Sequence, residues 1–123
     1  IGITVPEMQR NMLREQYSSE LWLAVKEDYR GKIVATGIAE LDREIGEGVL
    51  EWIQVSKDYR RCGLGSYLVS ELLWRMRKAA KFVTVSGKCN NPDYPEGLYR
   101  KCGFCGNDVW HILREREQTA FAE

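Results

Sequence analysis

One stretch constrains the fold more than any other: an apolar strand, a basic glycine-containing loop, a long amphipathic segment and a second apolar strand. Val49 to Val55 (VLEWIQV) is the first strand. From Gly63 to Lys81 the residues Leu64, Leu68, Leu72 and Met76 recur four apart, with Val69 and Leu73 widening the stripe and Glu71, Arg75 and Lys78 opposite. That period predicts a helix with one buried face. Phe82 to Ser86 (FVTVS) is β-branched and reads as a buried strand. A helix that crosses between two strands of one sheet makes them parallel.

What precedes is antiparallel. Leu21 to Lys26 and Lys32 to Asp42 are apolar runs separated by Asp28-Tyr29-Arg30-Gly31, a hairpin turn. A second polar loop, Arg43 to Gly48, leads into the strand at Val49. Pro6 to Tyr17 reads as a short helix with Met8, Met12 and Leu13 on one side. After Pro95, EGLYRKC reads as another, ended by Gly103. Asp108 to Arg114 (DVWHILR) is the last expected strand. The fold class is therefore α+β, a mixed and mainly antiparallel sheet flanked by helices, in a single domain over residues 1–123.

Composition narrows the function. Eighteen basic residues balance eighteen acidic ones, so the basic excess of a non-specific nucleic-acid binder is missing. No run approaches the roughly 18 apolar residues of a membrane span, and the N-terminus has no secretory pattern. The four cysteines, Cys62, Cys89, Cys102 and Cys105, read as reduced thiols in a cytoplasmic setting.

The chemistry concentrates in Arg60-Arg61-Cys62-Gly63-Leu64-Gly65-Ser66. Amides in the first turn of a helix lack intrahelical acceptors, and the helix dipole adds positive charge there. Gly63 and Gly65 would let a ligand approach the backbone, and two arginines flank them. This suits a phosphate or pyrophosphate; the plainer alternative is a tight turn with solvated arginines. No Gly-Lys-Ser/Thr closes the loop, and Leu68 stands where G-x-G-x-x-G needs its last glycine, so NTP and dinucleotide binding are disfavoured.

The segment from Val55 to Leu68 resembles the acetyl-CoA pyrophosphate loop of the GNAT superfamily of N-acetyltransferases, Arg/Gln-x-x-Gly-x-Gly/Ala after an apolar strand. Arg60, Gly63 and Gly65 stand at its three marked positions. A second family motif, an Asn loop followed by Leu-Tyr-x-Lys-x-Gly-Phe, is matched by Asn90-Asn91-Pro92 and Leu98-Tyr99-Arg100-Lys101-Cys102-Gly103-Phe104. The resemblance covers roughly residues 20–114. The Asn loop is about one residue longer than the usual spacing to Tyr99, so both Asn90 and Asn91 are candidates, Asn91 being taken as the cofactor contact. The family's first strand and helix are missing before Ile1, which suggests a trimmed chain or the C-terminal part of a longer one.

The resemblance implies the following site. The strand ending at Val55 splays from its parallel neighbour, and backbone groups of Ile53, Gln54 and Val55 bind the pantetheine arm. The N–H near Val55 polarises the thioester carbonyl. Amides from Arg61, Cys62, Gly63, Leu64, Gly65 and Ser66 hold the pyrophosphate. An amine attacks the thioester directly in a ternary complex. Tyr99 is the candidate general acid, since a phenol of pKa about 10 can serve a thiolate whose conjugate acid lies near 8.5; otherwise it packs on the sheet. Glu51 is the candidate base, set by strand alternation on one face with Ile53 and Val55; otherwise it is an exposed strand glutamate. Glu40 and Asp42 could bind a cationic amine.

Other chemistry-bearing residues read more plainly. His111 alternates between Trp110 and Ile112 and suits a partly buried structural role. Cys102-Gly-Phe-Cys105 lacks a well-spaced second pair, so no metal is expected. Trp22, Trp52, Trp74 and Trp110 read as core, with Trp52 and Trp110 also able to line an acceptor pocket. The expected activity is transfer of an acetyl group from acetyl-CoA to a small-molecule or peptide primary amine. The alternative is a non-catalytic acyl-CoA-binding module of the same fold. Neither nucleic acid nor membrane is an expected partner; dimers are common in the family, leaving a homodimer open.

Overall fold

The computed structural model describes residues 4–87 and 96–106, with Asp108, His111 and Leu113 beyond them. Helix α1 spans Val5–Asn11 and opens with a capping box, in which Glu7 N–H donates to the Thr4 hydroxyl and Thr4 N–H donates to the Glu7 carboxylate. It stops short of the expected Tyr17 and buries no residue, and Leu13, past its end, is 87% exposed. The chain past Asn11 leaves the helix and runs to the sheet, where Gln16 O accepts from Leu41 N–H at 3.0 Å.

A 3-10 turn over Ser19–Leu21 leads into β1 (Trp22–Lys26). Strands β2 (Ile33–Asp42) and β3 (Glu47–Val55) continue the antiparallel meander, and β4 (Phe82–Val85) pairs with β3 in parallel. The sheet order is β1-β2-β3-β4, which is the expected mixed architecture. The strand expected at 82–86 is half-exposed rather than buried, because β4 is the outermost strand among the described residues and Phe82 turns to solvent. The strand expected at 108–114 falls largely outside the described residues; Asp108, His111 and Leu113 are in no regular element.

The crossover is α2 (Leu64–Met76), shorter than the expected 63–81. Its end is dictated by the next strand: Lys81 and Phe82 N–H groups both donate to Gly46 O, at 2.6 and 3.3 Å, so the chain must leave the helix axis before them. Val69, Leu72 and Met76 are fully buried against Leu21, Ala39, Leu41 and Leu50, and Leu68 is buried over Gly37. Trp74, expected in the core, lies on the outer side at 60% exposure, with the Arg77 guanidinium 3.6 Å above its ring. Helix α3 (Glu96–Lys101) packs on α2 and ends at Gly103.

Candidate active site

The N-terminus of α2 is uncapped and open. Gly63 is its N-cap, at φ 80°, a conformation costly for any residue with a Cβ. Arg61 also has positive φ, 67°. No side chain caps the helix and its first turn holds no acidic residue. The first helical hydrogen bond runs from Tyr67 N–H to Gly63 O at 3.0 Å, so Leu64, Gly65 and Ser66 N–H groups precede the ladder. Space is open around Gly63, with no atom within 4 Å of where a Cβ would lie. The loop Arg60–Ser66 therefore fits a diphosphate in charge, donors and access. Arg60 folds back, its Nε donating to Val55 O at 3.4 Å, and the Cys62 thiol is exposed.

Gly65 has a different reason to be glycine than ligand approach. A Cβ there would lie 3.0 Å from Leu98 Cδ2 and 3.9 Å from Val55 Cγ2. Its bare side is the seat of α3, not of a ligand, and this contact brings the α3 segment carrying Tyr99 to the start of α2. Tyr99 is 7% exposed and meets Phe104 edge-on, with ring centroids 5.9 Å apart.

Among the described residues the parallel ladder runs from Glu47↔Phe82 to Leu50↔Val85, while β3 continues to Val55 against β2. Ile53 and Val55 thus lie beyond the last rung shared with β4. The register of β2 against β3 jumps from Ile38↔Trp52 to Ala39↔Leu50, leaving Glu51 as an extra residue in a bulge. This corrects the alternation expected from sequence. Gly48, Leu50, Ile53 and Val55 all turn towards α2, whereas Glu51 leaves that set at the bulge, beside the rungs of Glu40, whose neighbours Ala39 and Leu41 are the ones facing the core.

Glu40 is 7% exposed, and Arg14 Nε lies 2.8 Å from its Oε2. Burial pushes the Glu51 carboxyl above the usual carboxylate range; the Glu40 charge adds to this, and Arg14 opposes it. Glu51 as a whole is exposed, so this burial is partial. Sequence reasoning missed Arg14 and the bulge. The available signal was Glu40 itself, a carboxylate inside a long apolar strand, which demands a partner.

The remaining candidates separate. His111 is exposed rather than partly buried. Asn90, Asn91, Cys89 and Trp110 lie outside the described residues. Cys62, Cys102 and Cys105 are free thiols. Among the described residues no cluster could hold a metal ion, and no helix is long and apolar enough to cross a membrane.

The family model described as an acetyltransferase (GNAT) domain matches residues 18–105. The chain belongs to the GNAT acetyltransferase family. Solved structures agree on the fold. Glucosamine-6-phosphate N-acetyltransferase from Arabidopsis thaliana is similar with a TM-score of 0.68 at 22% identity, over 91% of this chain and 79% of that one. An aminoglycoside 6'-N-acetyltransferase from Acinetobacter haemolyticus gives 0.69 at 19%, over 93% and 80%. An aminoglycoside N-acetyltransferase in complex with CoA gives 0.63 at 17%, over 76% and 73%. No curated protein sequence matches the chain at a significant level.

Proposed function

We propose that the chain is an N-acetyltransferase that moves the acetyl group of acetyl-CoA onto a primary amine by direct attack in a ternary complex. One observation carries this reading: the uncapped, glycine-opened start of α2 sits at the end of the strand that, among the described residues, continues past its parallel ladder. A diphosphate on the amides of Leu64 to Ser66 directs an attached arm along Ile53 to Val55, where it adds as a strand would. A related fold crystallised with CoA supports the same ligand class.

The bound thioester supplies an activated acetyl group, and the chain's own residues do the rest. The Val55 region offers backbone donors to the thioester carbonyl oxygen. Glu51, on the other face of the bulge, is the proton acceptor for the incoming ammonium. Its raised proton affinity brings it closer to the operating range of a general base. Tyr99 returns a proton to the departing thiolate. The acceptor is a small-molecule or peptide amine, and the free thiols suit a reducing, cytoplasmic setting.

The low exposure of Tyr99 favours a second reading, a module that binds acyl-CoA without turnover. Titration calorimetry with acetyl-CoA, followed by thiol release over a panel of primary amines, decides between them. Uptake with thiol release is expected. Uptake without release across the panel selects the binding module, and no uptake by folded protein overturns both.

A further inference from the structure

The face of the sheet opposite α2 carries a charged cluster of which the acetyl-transfer reading uses only one member. Glu40 lies near the C-terminal end of β2, followed by Leu41 and preceded by Ala39, both in the core. A carboxylate buried to that degree is costly unless it is paired. Arg14 pairs it at 2.8 Å from the segment after α1, with the guanidinium side half-exposed. The bulge sets Glu51 between the rungs Ile38↔Trp52 and Ala39↔Leu50, one rung from Glu40↔Val49, and the Glu40 charge acts on its carboxyl. Two ionised carboxylates cannot hydrogen-bond to each other, because one must hold a proton to donate. Arg14 pairs with Glu40, so a proton taken up between the two carboxyls sits on Glu51.

We propose that Glu40, clamped by Arg14, is a positioning residue for Glu51: it fixes the Glu51 carboxyl at the bulge and receives the hydrogen bond of the proton that Glu51 takes from the acceptor ammonium. The inference rests on Glu51 being that proton acceptor. The step balances simply. One N–H bond of the ammonium breaks, its electron pair stays on nitrogen for attack on the thioester, and the proton forms an O–H bond on Glu51 that points at Glu40. The solvent-exposed side of Glu51 returns the proton to water.

The charged groups acting on Glu51 are Glu40 from β2 and Arg14 from the N-terminal segment. Asp42, next on that face of β2, accepts from Glu44 and Ile45 N–H groups at 3.1 and 3.4 Å. Glu47 on β3 accepts from the Thr84 hydroxyl at 2.9 Å. Neither belongs to the cluster.

The test follows the Glu51 carboxyl carbon by NMR titration of the ligand-free full chain, its signal assigned with Glu51→Gln. Glu40→Gln is expected to move the Glu51 midpoint down by about one pH unit, since a like charge is removed. Arg14→Met is expected to move it up, and Arg14→Lys to restore it. The acidic limb of kcat/KM for acetyl transfer should follow in the same directions. Arg14 is half-exposed, so its variants keep the test alive where Glu40→Gln fails to fold. An unchanged midpoint, or shifts of one sign in both variants as general loosening would give, overturns the proposal and leaves Glu51 as base. Correct midpoints with undiminished transfer by Glu51→Gln overturn the base assignment and the positioning role together.

Discussion

Replacing Gly65 by alanine tests whether this glycine serves helix packing or ligand access. The new Cβ would sit 3.0 Å from Leu98 Cδ2, several tenths of an ångström inside ordinary contact. Overpacking of this kind costs about 1–3 kcal/mol. Alanine also stiffens the helix, a gain of up to about 1 kcal/mol over glycine. The net expectation is a loss of about 0–2 kcal/mol. Leu98→Ala alone should cost about 2 kcal/mol, the low end for a partly buried leucine. In that background the obstruction is gone, so Gly65→Ala should reverse sign and stabilise by up to about 1 kcal/mol. Urea denaturation of the four members of the cycle measures the coupling, expected at about 1–3 kcal/mol. Additive effects, together with a selective loss of acetyl-CoA affinity in Gly65→Ala, would return this glycine to the ligand and refute the packing argument.

Other expectations follow from the same contacts. Gly63→Ala meets open space but must adopt φ 80°, so it should cost about 1–2 kcal/mol from backbone strain alone, with Gly63→Asn costing less in the same urea assay. Leu72→Ala, at 0% exposure, should lose about 2–5 kcal/mol, whereas Trp74→Ala should lose no more than about 1 kcal/mol, the worth of an exposed cation–π contact. The raised proton affinity of Glu51 in the folded state sets a pH dependence. Its contribution is fully present below its unfolded pKa and is lost as pH rises through the higher folded value. Glu51→Gln should therefore match the parent in Tm at acidic pH and exceed it increasingly towards neutrality, as thermal melts across pH will show.

Much of the fold was legible because its signals are local. The four-residue period of Leu64, Leu68, Leu72 and Met76 reports a buried face wherever that helix packs. The hairpin turn at 28–31 and the strands around it also follow from residue type. The open approach to the backbone expected at Gly63 likewise follows from residue identity, with nothing within 4 Å of where a Cβ would lie. The α2 terminus was misjudged because Gly46 O, far away in sequence, captures Lys81 and Phe82. The burial of β4 was misjudged because its place in the sheet order is not a local property. The candidate site divides in the same way, its glycine loop at the start of α2 readable and its Arg14–Glu40 ion pair not.

Sequence alone established the strand–loop–helix–strand crossover and the bare first turn of α2, since periodicity and glycine conformation act over a few neighbouring residues. Tertiary structure alone decided that Gly65 makes room for Leu98, that a bulge swings Glu51 away from Ile53 and Val55, and that Arg14 meets Glu40. Those contacts join residues tens of positions apart. Strand register and packing, which no local pattern encodes, are what bring them together.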